Sequence, residues 1–410
     1  MTDKKDKKLS ISVKGNIRDL LAFKNLVSDR KKIIEKASSK PIGEDPIYQL
    51  VQDLHPKKQY LKISEIIDET KSTKTFKLIP DPNSETKKLA YFRAGQYLSL
   101  KVEVNGVSIT RPYSLSSSPS DALNGFYKIT IRKEEHGFLT NYIWENWKVG
   151  ILVESSGPEG KLYYEPLRDK RHIVGIAGGT GINPFRSIAR EITEGNLDAK
   201  LTLLYGSSDE EDILFYNEFK KMGEIYPNKI KTIFVLSCDD ITLEGCEEGF
   251  ITADRIKKYV DINQCSFFIC GPQEMYKFID KELEKLKIPL KRIRREVFGE
   301  IKDIIIYSDY PQEIAEKVFK INVQIGNLSK EIPGKATESI LVAMERANLA
   351  PPSKCRSGEC GFCRSVLLSG SIYVSPINDS RRSADKLLNY FHPCSSYPIS
   401  DLEIEVPRKL

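Results

Sequence analysis

The sequence predicts three folded modules in series: an antiparallel β-barrel, an α/β parallel sheet and a compact α+β module. Short β-branched and aromatic runs separated by turns occupy residues 55–166, which favours the barrel. Apolar strands alternate with helical stretches over residues 167–299, as in parallel sheets. A strand, a helix and a cysteine cluster follow in residues 318–410. Residues 300–317 are then expected to be a linker, and residues 1–54 a basic N-terminal extension that is partly helical.

Length and composition agree with several globular units. The chain has 410 residues, 40% of them hydrophobic and 29% charged, which excludes disordered and collagen-like classes. No apolar run approaches the roughly 18 residues that a membrane span needs. No apolar stretch of the secretory type follows the basic start. We therefore expect a cytoplasmic protein without a membrane span.

The positive charge is concentrated near the N-terminus. The formal net charge is +6, but residues 1–40 hold 12 Lys and Arg against 5 Asp and Glu, a local charge of +7. The rest of the chain therefore carries 51 against 52 such residues, a charge of −1. A nucleic-acid-binding protein more often carries its basic residues on a folded module, so no nucleic acid partner is expected.

The barrel strands are predicted from four runs, YLKISEI, STKTFKLI, YLSLKVEV and FYKITIRK, which lie between turn-rich stretches. Arg111, Pro112, Tyr113 and Ser114 lie on a further predicted strand. Alternation puts Arg111 and Tyr113 on one strand face, where a cation and an aromatic ring can address one ligand. Such short strings also occur by accident, and an isolated Tyr on a barrel strand is usually a packing residue.

A helix is predicted after the last of these strands. Gly137 and Thr140 sit just before it, and Thr140 could cap it. The free N–H groups of a helix N-terminus form a natural site for a pyrophosphate. An ordinary capped helix that binds no ligand is the alternative.

Two turns of the α/β module have the composition of a phosphate-binding edge. The first consists of Gly178, Gly179, Thr180 and Gly181. It directly follows the strand HIVGIA and precedes a helix, and its small residues let the backbone approach a phosphate. The second consists of Cys270, Gly271 and Pro272. It ends the strand CSFFI, and ligands of open parallel sheets gather at such carboxyl ends, although a Cys there is often a small core residue.

Four cysteines of the C-terminal module have metal-ligand spacing. They are Cys355, Cys360, Cys363 and Cys394. The first three have the C-x4-C-x2-C spacing of plant-type [2Fe-2S] proteins. Clustered cysteines in a reducing compartment are more often metal ligands than disulfides. Gly358 and Gly361 suit a tight loop that needs positive φ and turns N–H groups towards sulfur. A structural zinc site is the alternative, but zinc modules usually pair two C-x2-C or Cys/His knuckles.

Two sets of motifs carry a family resemblance. CRSGECGFC, with the distant Cys394, resembles the ferredoxin domain fused to flavin-dependent reductases of oxygenase systems. The order R-x-Y-S, G-x-x-T, GGTGINP and CGP resembles the ferredoxin-NADP reductase superfamily over residues 55–299. The whole is similar to the phthalate dioxygenase reductase and phenylacetyl-CoA oxygenase reductase type. The resemblance implies a flavin-binding β-barrel, an NAD(P)H-binding α/β domain and a β-grasp [2Fe-2S] ferredoxin domain.

The resemblance also implies how the flavin is held. Arg111 would contact a flavin phosphate, Tyr113 would pack on the isoalloxazine ring, and Ser114 would hydrogen-bond near its N5. The segment from Gly137 to Thr140 would hold the flavin phosphates. Relatives with this domain order use FAD or FMN. FAD is favoured because a helix directly follows Gly137 to Thr140, where it could hold a pyrophosphate.

The same resemblance implies the nicotinamide and cluster sites. Gly178, Gly179 and Gly181 would face the pyrophosphate of the nicotinamide cofactor. Cys270 would lie close to the nicotinamide and flavin rings, while Glu296 and Phe298 would close the nucleotide domain. The four clustered cysteines would be the ligands of a [2Fe-2S] centre.

The nucleotide preference is predicted from acidic residues. Relatives selective for NADPH place Ser and Arg after the strand that corresponds to TIFVLS, whereas this chain has Asp239 and Asp240 close behind it. Acidic side chains repel a 2′-phosphate and can accept from a ribose hydroxyl. The turn at residues 209–212 is likewise acidic. We therefore expect NADH, with NADPH as the alternative.

The expected function is that of an oxidoreductase in which flavin converts the hydride of NADH into single electrons for the cluster. Hydride transfer would occur near Ser114 and Cys270. A protein acceptor, such as an oxygenase, hydroxylase or demethylase, would dock at the ferredoxin domain. Two other functions stay open at this point: a self-contained NADH oxidoreductase for a small-molecule acceptor, and a non-enzymatic redox sensor.

Overall fold

The computed structural model describes residues 17–37, 45–135, 137–238, 241–301, 303–376 and 379–407. The chain divides into two units, the first ending at Leu50 and the second beginning at Val51. Within these described ranges, no helix combines the length and the apolar character needed to cross a membrane. Asp239 and Asp240, on which the expected nucleotide preference mainly rests, lie outside the described residues.

The first unit is helical where it is described. It contains α1 (Ile17–Glu35) and the start of α2 (Pro46–Leu54). Apolar side chains of both helices are exposed, including Leu26 in α1 and Leu50 in α2. The aliphatic residues of α2 recur at positions i, i+3, i+4 and i+7, so they form one exposed apolar face.

The second unit begins with an antiparallel sheet. Its strands are β1 (Gln59–Asp68), β2 (Thr73–Pro80), β3 (Tyr97–Val104), β4 (Val107–Ser114), β5 (Tyr127–Arg132) and β6 (Leu152–Ser155), accompanied by α3 (Pro119–Leu123) and α4 (Phe138–Asn146). The strand order is β4-β3-β6-β1-β2-β5. A bridge between Leu115 and Ile129 joins the two edge strands, so the sheet curls into the expected barrel around a core that includes Leu61 and Phe76.

A parallel sheet follows the barrel. Its strands are β7 (His172–Gly178), β8 (Lys200–Ser207), β9 (Ile230–Leu236), β10 (Cys246–Glu248), β11 (Cys265–Cys270) and β12 (Ile293–Glu296). Its helices are α5 (Asn183–Thr193), α6 (Tyr216–Ile225), α7 (Ala253–Tyr259) and α8 (Gln273–Lys285). The strand order is β10-β9-β8-β7-β11-β12. Helices α5 and α6 cover one face and α7 and α8 the other, which is why the central strands are continuous apolar runs.

The C-terminal part is a mixed sheet crossed by a helix. Its elements are β13 (Val318–Ile325), β14 (Leu328–Lys335), α9 (Ile340–Arg346), β15 (Ser365–Ser369), β16 (Ile372–Tyr373), α10 (Ser383–Leu387), β17 (Tyr390–Phe391), β18 (Tyr397–Pro398) and β19 (Leu402–Val406). The main sheet has the order β14-β13-β19-β15-β17, with β13 and β19 parallel. Ile340 and Met344 of α9 are buried against it. The predicted multidomain fold class is confirmed.

The connector between β12 and β13, residues 297–301 and 303–317, packs against the C-terminal part. Its apolar residues share a small core with that part. The core consists of Ile301, Ile304, Tyr310, Ile314, Ala336, Tyr373 and Tyr397. The Tyr397 hydroxyl also donates to the Ile301 carbonyl oxygen at 3.2 Å. The segment expected to be a linker is therefore held in place by side-chain packing.

Candidate functional site

A cavity of about 560 Å³ lies between the barrel, the parallel sheet and the connector. It gathers most of the residues that the sequence singled out for cofactor binding. Those that line it are Arg111, Pro112, Tyr113, Ser114, Thr140, Gly178, Gly179, Thr180, Gly181, Cys270, Gly271, Pro272 and Phe298. Gly137 is described but does not line the cavity, and Asp239 lies outside the described residues.

Strand β4 forms the barrel side of the cavity. Arg111 and Tyr113 are half-buried, whereas Pro112 and Ser114 are buried, so the strand alternates as expected. All four nevertheless reach the cavity, because they lie at the end of β4 where the barrel meets the parallel sheet. Burial, together with a neighbouring arginine, Arg356, lowers the pKa of Arg111 below its ordinary value. An anion beside Arg111 would offset this unfavourable burial.

The start of α4 differs from the expected cap. The helix begins at Phe138, so Gly137 is its N-cap and Thr140 is already its third residue. The Thr140 hydroxyl accepts from the Glu134 N–H at 3.3 Å and donates to the Gly137 carbonyl oxygen at 3.4 Å. A Cβ atom at position 137 would lie 2.1 Å from Thr140 Oγ1, which explains the glycine. The first turn of α4 therefore has no side-chain cap.

The two glycine-containing turns meet at β7, where the order of strands in the parallel sheet reverses. Strand β7 neighbours β8 on one side and β11 on the other, and open sheets bind ligands at this kind of switch point. A Cβ atom at Gly181 would lie 2.1 Å from the Cys270 carbonyl oxygen, so only glycine allows the approach. Gly179 has φ +52, in the left-handed region. The turns thus form a cradle of bare backbone that fits a pyrophosphate.

Glu296 connects the barrel and the sheet inside this site. The Ser114 hydroxyl donates to Glu296 Oε2 at 3.4 Å, while Oε1 is buried without a hydrogen-bond partner. Burial, and then the nearby Glu359 carboxylate, raise the pKa of Glu296 well above its ordinary value. Burial and Glu296 likewise raise the pKa of the Cys270 thiol. A neutral thiol, a hydroxyl and a carboxyl with an unused oxygen therefore meet here, where the flavin and nicotinamide rings are expected.

Sequence reasoning missed the connector wall of the cavity. The residues concerned are Gly299, Glu300, Ile301, Asp303, Ile306 and Tyr307. It also missed Arg132 of β5 and Asn183 of α5, whose amide donates to the Thr130 carbonyl oxygen at 2.9 Å and ties the glycine turn to the barrel. The apolar string DIIIY within an otherwise polar linker was the available indication that this segment packs.

A second cavity of about 430 Å³ adjoins the first at the ends of β8 and β9. Ser207 and Ser237 line it together with the Phe250 and Phe278 rings, whose centroids are 5.7 Å apart. Both cavities share Gly178, Gly179 and Pro272, so the pair can take an elongated ligand such as a dinucleotide. Among its described lining residues, the only Lys or Arg is Arg132, which pairs with Asp212 at 3.3 Å.

The acidic turn at residues 209–212 is bonded to other parts of the chain. Asp212 accepts hydrogen bonds from Thr70 and Ser72 of the barrel. Glu210 accepts from the Thr242 hydroxyl and the Leu243 N–H. These carboxylates therefore join elements of the fold, and they give less support to the expected nucleotide preference than the sequence suggested.

The four clustered cysteines meet in one thiol group. Cys363 Sγ and Cys394 Sγ are 3.3 Å apart, and Cys355 contacts the thiols of Cys360 and Cys394. Hydrogen bonds from those two thiols lower the pKa of Cys355, and the same contacts raise the pKa of Cys360 and Cys394. Cys360 is exposed and the other three are buried. One edge of the group therefore faces solvent.

Backbone geometry around the thiols suits an iron-sulfur centre. Gly358 and Gly361 have φ +84 and +65, which confirms the expected positive φ at both positions. The N–H groups of Gly358 and Phe362 donate to the sulfur atoms of Cys394 and Cys360 at 3.2 and 3.4 Å. Donation of this kind stabilises the negative charge of a thiolate-bound cluster.

The thiols lie in direct contact with one another and not at the spacing of metal-bound thiolates. Across the described ranges, no group of three or more His, Cys, Asp or Glu side chains is placed so that it could hold a metal ion. Thiolates on one metal at about 2.3 Å would lie roughly 3.8 Å apart. The 3.3 Å between Cys363 and Cys394 is shorter, because these two thiols contact each other directly.

Family models match three consecutive parts of the chain. The oxidoreductase FAD-binding domain matches residues 60–164, the oxidoreductase NAD-binding domain residues 176–281, and the 2Fe-2S iron-sulfur cluster binding domain residues 323–398. The first covers the barrel, the second the parallel sheet and the third the cysteine group. The cavity is lined by residues from the first two matched ranges and by Phe298 and the connector, which lie between the second and the third.

Several relatives match this chain over most of their own length. The ferredoxin reductase component of 3-ketosteroid-9-alpha-monooxygenase from Mycobacterium tuberculosis is 27% identical over 88% of this chain and 97% of its own. One component of the 1,2-phenylacetyl-CoA epoxidase from Escherichia coli is 25% identical over 85% of this chain and 98% of its own. The solved structure of phthalate dioxygenase reductase superposes with a TM-score of 0.60 at 21% identity, covering 86% of this chain and 98% of that one.

Proposed function

We propose that the chain is the reductase component of an oxygenase system, within the ferredoxin-NADP reductase superfamily and in the form that ends in a plant-type [2Fe-2S] domain. It is an oxidoreductase that takes electrons from NADH and passes them through FAD and the cluster. The proposed destination is an oxygenase-type protein that docks on the ferredoxin domain. The monooxygenase and epoxidase components named among its relatives support this destination.

One observation carries the proposal: a single cavity gathers the barrel residues expected to hold flavin and the two turns expected to face nicotinamide. When bound there, a flavin accepts both electrons of a hydride and releases them one at a time. Ser114, held by its hydrogen bond to Glu296, can orient the ring. The buried Cys270 supplies an apolar wall against which two rings can lie face to face.

We assign the phosphate groups of the flavin and of the nicotinamide dinucleotide to two different places in the cavity. Arg111 and the uncapped first turn of α4 would bind the flavin phosphates, because both offer positive charge to the cavity side. Gly178 and Gly181 would approach the nicotinamide dinucleotide. Tyr113 would pack on the flavin ring, and Phe298, which stacks edge-on against Tyr97 at 5.0 Å, would exclude water from the rings.

We propose that the acceptor docks where Cys360 reaches the surface. The other three cluster cysteines are buried, so the cluster would be most accessible at the exposed Cys360. We propose the cytoplasm as the location, because clustered cysteines that bind metal are typical of a reducing compartment.

Anaerobic mixing with NADH tests this function. The wild-type protein is expected to lose first its flavin absorbance and then its iron-sulfur absorbance. Cys363→Ser removes one cluster ligand, so it should still reduce ferricyanide through the flavin but should no longer reduce cytochrome c or a partner protein. Cys246→Ser, on the edge strand β10, is the matched control and should behave as wild type. Rapid NADH oxidation by a small physiological acceptor that Cys363→Ser leaves unchanged would instead support a self-contained oxidoreductase.

We further propose that NADH is used in preference to NADPH. The serine-lined second cavity offers no cation to a 2′-phosphate among its described residues other than the already paired Arg132. Asp239 and Asp240 add negative charge in the sequence after β9. Steady-state kinetics with both nucleotides should give a kcat/KM for NADH at least about tenfold higher. An equal or higher value for NADPH would refute the preference.

A further inference from the structure

A completely buried arginine follows the first cysteine of the cluster loop. Arg356 has 0% exposure and φ +61, so the loop turns here in the left-handed region. Its guanidinium holds both carboxylate oxygens of Glu345 in α9, one of them at 2.8 Å. The same guanidinium also pairs with Glu300 of the connector. Two carboxylates from different parts of the chain thus converge on one cation.

The barrel takes part in the same network. Arg356 Nη1 donates to the carbonyl oxygen of Thr110 on β4 at 3.4 Å. The next residue along β4 is Arg111, whose Nη1 lies 3.9 Å from Glu345 Oε2. Positive and negative side chains therefore alternate from the cavity wall through the ferredoxin domain to the connector, in the order Arg111, Glu345, Arg356 and Glu300.

Burial makes this network sensitive to the loss of any member. The side chains of Glu345 and Glu300 are only 7% and 18% exposed. Burial alone would lower the pKa of Arg356, but the carboxylates of Glu300 and Glu345 raise it above its ordinary value, so the group is charged. Removal of one partner would leave a buried charge without compensation. A lysine would keep the charge but lose the two-pronged contact with Glu345.

We propose that Arg356 is a positioning residue that clamps α9 and the connector onto β4 and so fixes the distance between the flavin pocket and the cluster loop. This rests on the proposed function, because the distance matters only if electrons pass from flavin to cluster. Electron tunnelling slows steeply as two centres move apart. A loop freed from β4 would therefore transfer electrons more slowly even with its four cysteines intact.

The test separates two steps in one anaerobic stopped-flow experiment on the full-length holoprotein. Arg356→Gln should leave flavin reduction by NADH within about twofold of wild type, and slow the following cluster reduction about tenfold or more. Glu300→Gln removes a carboxylate partner of Arg356 that lies outside the cluster loop. It should lower the ratio of the cluster-reduction rate to the flavin-reduction rate. Arg356→Lys should give an intermediate ratio. The matched control is Arg346→Gln, which breaks the exposed pair of Arg346 and Glu338 at the end of the same helix.

Two further measurements distinguish positioning from general damage. The electron paramagnetic resonance spectrum of the dithionite-reduced cluster should be the same in Arg356→Gln, Glu300→Gln and wild type, because the ligands are unchanged. Hydrogen exchange of the β4 and α9 amides should be faster in both variants than in Arg346→Gln. Should Arg356→Gln fail to assemble its cluster, the ratio measured for Glu300→Gln decides the question.

Ratios for Arg356→Gln and Glu300→Gln that match Arg346→Gln would overturn the positioning role, provided that wild type itself reduces its cluster. A wild-type protein that reduces its flavin but never its cluster would refute the proposed function, and the positioning role with it. The two failures are therefore distinguishable in the same experiment.

Discussion

At the scale of single residues, the site depends on buried titratable groups. Glu296 is only 5% exposed and Cys270 only 4%, and burial raises the pKa of both. The Ser114 hydroxyl lies between this carboxyl and the cavity, so it connects the buried acid with any ring bound there.

Ser114→Ala should therefore slow flavin reduction by NADH about tenfold to a hundredfold, because one oriented hydrogen bond at the reacting ring is lost. Stopped-flow absorbance at saturating NADH measures this rate directly. Ser117→Ala is the control, since Ser117 is also buried but bonds only the Lys128 N–H among the described contacts and does not line the cavity. Equal rates in the two variants would show that the Ser114 hydroxyl does not act on the ring.

The sequence predicted 13 of the 27 residues that line the cavity, because these lie in short motifs, most of them at strand ends. Ser114, Gly181 and Cys270 are examples, since strand order alone brings such ends together. The hydrogen bond between Ser114 and Glu296 was not predictable. It joins residues far apart in the chain, and only the docking of the barrel on the sheet creates it. The buried Arg356 gave no sequence indication either, because an arginine in a loop is normally exposed.

At the scale of elements, two strand-to-helix turns depend on close backbone contact. The turn after β7 touches the end of β11, and Gly181 is the point of contact. The expectation that Thr140 caps α4 was wrong, because Gly137 is the N-cap. Residues near a helix start can be recognised in a sequence, but which of them becomes the N-cap depends on the local backbone, here the extended Gly137.

Gly181→Ala should destabilise the protein by about 2–4 kcal/mol and weaken NADH binding, because its Cβ would press on the backbone of Cys270 rather than on a flexible side chain. Denaturant titration and the KM for NADH measure the two effects. Gly223→Ala in α6 is the matched control. Its Cβ would meet nothing closer than 3.8 Å, so this change should be neutral or stabilising by up to about 1 kcal/mol. Similar losses in both variants would contradict the close-approach argument.

At the scale of the whole molecule, function depends on contacts between the barrel, the parallel sheet and the C-terminal part. The barrel and the parallel sheet were each predictable from local patterns, and both are confirmed. Their mutual placement was not, because periodicity describes one element at a time. Glu191 of α5 illustrates such a contact, since its carboxylate accepts a hydrogen bond from the backbone of Ala94 in the barrel.

Burial in this contact raises the pKa of Glu191 to about 7, with Glu194 adding to the shift and Arg93 opposing it. An unfolded chain would ionise Glu191 near pH 4.3. Stability is therefore expected to fall as pH rises from about 4.3 to about 7, and to be independent of this group above that range. The free energy of unfolding of Glu191→Gln, measured relative to wild type, should be about 1–3 kcal/mol higher at pH 8 than at pH 5.

Denaturant unfolding at both pH values measures this difference. Glu224→Gln, an exposed position on α6, is the control and should show no pH-dependent gain. A gain for Glu191→Gln that is the same at pH 5 and pH 8 would show that Glu191 does not titrate between them in the folded protein.

The packed connector has a consequence for how electrons are delivered. Ile304, Tyr310 and Ile314 bury it against the ferredoxin part, and the Tyr397 hydroxyl ties that part to Ile301. The connector is bonded in turn to the parallel-sheet part, since the Gln273 side chain of α8 donates to the Glu300 carbonyl oxygen at 2.9 Å, so we do not expect the C-terminal part to move on a flexible tether. An acceptor therefore has to come to the ferredoxin domain. An acceptor that needs two electrons must either dock twice or remain docked while the cluster is reduced a second time.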